Sequence, residues 1–126
     1  MIPRATRVGL ILAAAAIVAL GPVGPASAHA LVLESLPRPD STVSPALSRV
    51  VIRFNSRIEK TLSRVWLVGP GPGRLRLRLS DDGAPDHLIA PVPPLARGTY
   101  TLEWHVFSTD GHVTRGSFPF VVAPGP

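Results

Sequence analysis

Apolar and polar side chains alternate with a period of two along most of this chain. Over residues 47–55, Val50, Ile52 and Phe54 fall on one face, and Val51, Arg53 and Asn55 on the other. That alternation marks a strand with one buried side. Residues 99–107 repeat it, with Tyr100, Leu102, Trp104 and Val106 facing inward. Residues 74–79 alternate without a fault, with Leu75, Leu77 and Leu79 inward and Arg74, Arg76 and Arg78 outward. Shorter strands are expected at 65–68 and 87–92. A first strand at 30–36 sets Leu31 and Leu33 against Val32 and Glu34, and a last at 117–122 aligns Phe118, Phe120 and Val122. Residues 57–62 read as a helical turn or loop. Seven short strands with no long helix predict an all-β fold, a β-sandwich or Greek-key barrel of the immunoglobulin-like kind.

Composition sharpens this picture. Fifteen prolines and eleven glycines in 126 residues favour many turns over long helices. The first 28 residues have a different character. Arg4 and Arg7 precede thirteen uncharged residues, Val8 to Leu20, and Ala26-Ser27-Ala28 is a small-residue cleavage signal. This is the layout of a secretory signal peptide, and thirteen apolar residues fall short of the ~20 needed to span a bilayer. The expected division is therefore a cleaved leader at 1–28 and one domain at 29–126. The mature chain is expected to be a periplasmic or secreted monomer that does not span a membrane.

There is no cysteine, so a disulfide framework and a lipoprotein anchor are both excluded. Of thirteen basic residues, Arg4 and Arg7 leave with the signal. Eleven remain against eight acidic, a net charge of +3, which does not argue for nucleic acid. No phosphate-binding glycine loop or nucleophile elbow is present.

Candidate chemistry gathers in Trp104-His105-Val106-Phe107-Ser108-Thr109-Asp110-Gly111-His112, where a strand runs into a turn. Asp110 and His112 stand two positions apart around a glycine that permits a tight turn. Cleavage after Ala28 makes His29 the first residue, offering an imidazole and a free α-amine that close a chelate ring on one ion. With His112 this gives three nitrogens, and Asp110 adds an oxygen. Such a set suits Cu(II), whereas Zn(II) prefers a tetrahedron. The only methionine is Met1, so no soft donor is left for Cu(I). His105 lies on the face opposite Leu102 and Trp104 and reads as a solvated surface residue. His87, after Asp81, Asp82 and Asp86, reads as part of a surface turn. The arginine row at 74, 76 and 78 reads as one solvated strand face, or as a surface for an anionic partner.

These residues resemble the CopC/PcoC family of copper-resistance proteins. The resemblance runs from His29 to Val122. It rests on His29-Ala30-Leu31 with Ser35 and Pro37, on Val51-Ile52-Arg53-Phe54, and above all on Gly98-Thr99-Tyr100-Thr101-Leu102-Glu103-Trp104. Ser108-Thr109-Asp110-Gly111-His112 follows, and then Gly116, Phe118 and Val121. It implies a seven-stranded Greek-key fold binding one Cu(II) per chain through His29, Asp110 and His112, with no catalytic role. It also implies, as a possible partner, a CopD-type inner-membrane copper transport protein. Two features depart from the family pattern. The region from Val68 to His87, where some members carry a Met-rich Cu(I) loop, has no methionine. Phe54 is followed by Asn55-Ser56-Arg57, where many members place a glutamate. Two competing readings are a histidine-brace copper oxidase acting on polysaccharide and a metal-free immunoglobulin-like interaction module.

Overall fold

The computed structural model describes residues 30–125 and, ahead of them, Gly21 alone. The leader at 1–28 and His29 otherwise lie outside the described residues.

Alternation becomes two sheets. The smaller has the order β1-β3-β6, built from β1 (Val32–Leu36), β3 (Arg49–Phe54) and β6 (His87–Pro91). The larger has the order β2-β8-β7-β4-β5. Its strands are β2 (Thr42–Val43), β4 (Arg64–Val68), β5 (Arg74–Leu77), β7 (Gly98–Phe107) and β8 (Val113–Val122). The inward faces of both sheets supply one continuous core. Ile52, Phe54, Leu102, Val106 and Phe120 are each 0% exposed. Burial of such side chains is worth about 1.5–3 kcal/mol apiece. With no disulfide, this core is the main source of stability. The result is an all-β sandwich, and no helix among the described residues is long and apolar enough to cross a membrane.

The central strands follow the sequence pattern closely. Tyr100, Leu102, Trp104 and Val106 are all buried, as are Val50, Ile52 and Phe54. Elsewhere the structure differs from expectation in four ways. In β1 the register with β3 shifts between Val32 and Glu34. Leu31 and Leu33 consequently point outward, 57% and 51% exposed, and Ala30 and Val32 supply the inward contacts instead. The final strand begins at Val113 and not at 117. The two-residue β2, parallel to the end of β8, adds an eighth element. On β5, Leu77 is buried but Leu75 stays 46% exposed, because an edge strand has no neighbour to cover it. Residues 59–63 form one turn, closed by the Ser63 amide on the Glu59 carbonyl.

One feature of this scaffold positions the candidate site. β7 and β8 pair without interruption from Gly98–Val122 to Phe107–Val113. Such a long hairpin holds its connecting loop, residues 108–112, rigidly at one end of the sandwich.

Candidate metal centre at the hairpin tip

The loop is closed on itself. The Ser108 amide donates to the His112 carbonyl at 2.9 Å, and the Gly111 amide to the Ser108 carbonyl at 2.9 Å. Gly111 has φ +89°, in the left-handed region that favours glycine. The base of the loop is tied to the chain after β3. Ser108 bridges Ile58, the Thr109 amide donates to the Arg57 carbonyl, and the Glu59 amide donates to the Phe107 carbonyl.

Asp110 and His112 are brought together by this turn. The His112 amide donates to Asp110 Oδ1 at 3.1 Å, a local side-chain turn that aspartate favours. The ring Nδ1 of His112 lies 3.1 Å from Asp110 Oδ2. Both side chains are solvent-accessible, 57% for His112 and 43% for Asp110. The hydrogen bond from the His112 backbone, and then that from its ring, hold the Asp110 carboxyl below its ordinary value of 3.8. Asp110 is therefore a carboxylate at neutral pH.

His29 lies outside the described residues, but the residue bonded to it is fixed. Ala30 is buried, and its amide donates to Thr114 Oγ1 at 3.2 Å. Thr114 is two residues beyond His112. Leu31 is clamped by Asn55 in both directions. The Leu31 amide donates to Asn55 Oδ1 at 2.8 Å, and the Asn55 amide donates to the Leu31 carbonyl at 2.9 Å. Asn55 and Thr114 are the positioning residues that reading the sequence missed. The only signal for Asn55 was a polar side chain ending an apolar alternation, nothing local linked it to Leu31, and Thr114 gave no signal.

Replacing Asn55 with alanine removes one of the two clamping bonds and leaves the backbone bond. The loss is expected to cost about 0.5–1.5 kcal/mol locally. It should appear as faster hydrogen exchange at the Leu31 amide, and unchanged protection there would refute the clamp.

The other two histidines are elsewhere. His87 Nδ1 meets Asp86 Oδ1, and this hydrogen bond holds the Asp86 carboxyl below its ordinary value. His105 is not a freely solvated residue as expected. It packs edge-on against Trp66 at 4.6 Å between centroids. Burial, then the charges of Arg115 and Arg74, push its imidazole below the ordinary value. Among the described residues no group of three His, Cys, Asp or Glu side chains gathers closely enough to hold a metal ion. The Asp110–His112 pair therefore needs a donor from the chain preceding Ala30 to make a three-residue site.

A two-sheet β-sandwich of this kind is the fold of the CopC and PcoC copper-resistance proteins. The profile of the CopC domain matches residues 32–123, and the chain belongs to that family. Protein YobA of Escherichia coli (strain K12) is 32% identical over 98 residues, covering 75% of this chain and 79% of that protein. Copper resistance protein C of Xanthomonas campestris pv. juglandis is 31% identical over 105 residues, covering 77% and 82%. The crystal structure of CopC from Methylosinus trichosporium OB3b superposes with a TM-score of 0.70 at 24% identity, covering 78% of this chain and 97% of that one. That likeness supports the fold.

Proposed function

We propose that this protein binds one Cu(II) ion through the amine and imidazole of His29, the carboxylate of Asp110 and the imidazole of His112. Its role is to sequester or deliver copper outside the cytoplasm, as a carrier and not as an enzyme. The observation that carries the reading is the convergence of two chain segments. The Asp110–His112 pair sits at the hairpin tip, and Ala30, bonded directly to His29, is fixed to Thr114 at the foot of the same loop.

The donor spacing fits. Two ligands bound at about 2.0–2.1 Å lie about 2.9 Å apart at a right angle and about 3.4 Å apart at a tetrahedral one. The 3.1 Å between His112 Nδ1 and Asp110 Oδ2 falls between these limits. Three nitrogens and one oxygen favour Cu(II), and the only methionine, Met1, precedes the expected cleavage point between Ala28 and His29. A periplasmic or secreted destination and a CopD-type membrane partner accord with this role.

The test is a Cu(II) titration read by electron paramagnetic resonance, on protein beginning at His29 with a free amine. One equivalent giving a single tetragonal, nitrogen-rich signal is the expected result. Weak, heterogeneous or superstoichiometric binding would overturn the assignment.

A further inference from the structure

The outward face of the larger sheet carries an excess of positive charge that the proposed copper site does not use. Strand register places Arg76 opposite Trp66, Trp66 opposite Glu103, and Arg64 opposite His105. It also sets Arg115 opposite His105. Arg74 joins them through β5, and exposed Arg78 extends the same alternation just past its end. Five arginines drawn from three strands and the end of β5 thus share one face with a single acid, Glu103. That acid is already engaged by Arg74, Nη2 to Oε2 at 2.7 Å. Arg76, Arg78 and Arg115 have no ion-pair partner among the described residues.

The rim of this face is concave. A cleft of about 400 Å³ is lined by Lys60, Arg64, Arg76 and Arg78, with Asp81 as its one acid. The centre is held stiff, since the Arg74 guanidinium lies 4.1 Å over the Trp66 ring and Trp66 abuts His105.

We propose that this face docks the protein on an anionic phospholipid surface. Neighbouring strands are about 4.8 Å apart, so arginines on β8, β4 and β5 spread in two dimensions over the width of four strands. An extended acidic peptide would meet one row of them, whereas a layer of phosphates meets all. The centre of the face is arginine, histidine and one half-buried tryptophan, which lacks the apolar core of a protein–protein interface. Guanidinium groups also match phosphate geometry with paired hydrogen bonds. Each arginine near such a surface contributes about fivefold in partitioning, and salt weakens the attraction.

The experiment is co-sedimentation of metal-free protein beginning at His29, which contains every described strand and core residue. The vesicles are equal parts phosphatidylglycerol and phosphatidylcholine, or phosphatidylcholine alone. Binding only to the anionic vesicles, weakened by salt, is expected. The variant Arg76→Gln/Arg78→Gln/Arg115→Gln should bind on the order of 100-fold less. The variant Arg38→Gln/Arg49→Gln/Arg57→Gln, with the same net charge but altered off this face, should bind within a few-fold of the parent. Equal loss in both variants, equal binding to neutral vesicles, or no binding by the parent would each overturn the proposal. So would binding to polyglutamate in place of vesicles.

Discussion

Adding one residue in front of His29 is expected to lower Cu(II) affinity by at least about 100-fold, the scale on which disturbing a metal site is felt. The extension leaves the imidazole, the carboxylate and the second imidazole in the sequence. It converts the primary amine into a peptide nitrogen and so breaks the chelate proposed for His29. His29→Ala breaks the same chelate from the other side, removing the ring and keeping an amine. Asp110→Ala removes a single oxygen and should do less damage than either. Competition titration against a chelator of known affinity reads all three, and equal affinity in the extended protein would sink the role of the amine.

The pH dependence separates the donors further. A free α-amine titrates at about 7.7–8.0, so copper must displace a proton from it throughout the mildly acidic range. Between that value and about pH 6.5, below which protons also compete for imidazole donors, affinity should fall about tenfold per pH unit. Asp110 contributes nothing to this fall, because its folded-state carboxyl is held below 3.8. Its depressed value means that the loop gains from the Asp110–His112 contact above about pH 4 and loses it as pH falls through the folded value. The extended protein should lose the amine's share of the slope, and an unchanged slope would argue against amine ligation.

How much of this was legible in the sequence depended on where each residue sits. β3 and β7 lie inside their sheets with one face on the core, so Ile52, Phe54, Leu102 and Val106 show the burial period undisturbed. β1 is an edge strand with a register shift between Val32 and Glu34, and Ala30 and Val32 face the core in place of Leu31 and Leu33. The first half of β8 was invisible for a different reason. Its inward positions are Thr114 and Gly116, and neither looks apolar, because the indole of Trp104 fills the space over Gly116. Asp110, Gly111 and His112 were legible because their contacts are local. The bond from Leu31 to Asn55 joins residues 24 apart and left no trace in the local pattern.

Gly116→Ala is expected to destabilise the fold by about 1–3 kcal/mol, the cost of overpacking a filled interior. An added Cβ would stand 2.3 Å from Trp104 Cζ2 and 2.7 Å from Cε2, far inside contact distance. The indole has little room to retreat. Trp104 is only 7% exposed and packs on Phe118 at 5.6 Å between ring centroids. Gly116 lies directly across from Trp104 in the β7–β8 ladder, an arrangement in which an aromatic ring covers a neighbouring glycine. In a domain of this size, each kcal/mol shifts the melting temperature by about 4–8 °C. The cost should shrink when Trp104→Leu is already present, because the clash is with the ring and not with the strand. Strictly additive losses in that double-variant cycle would place the fault elsewhere. Gly116→Ala alters no proposed copper donor but weakens the hairpin that carries two of them. Saturating Cu(II) should therefore raise its melting temperature through binding to the folded state, as is expected of the parent.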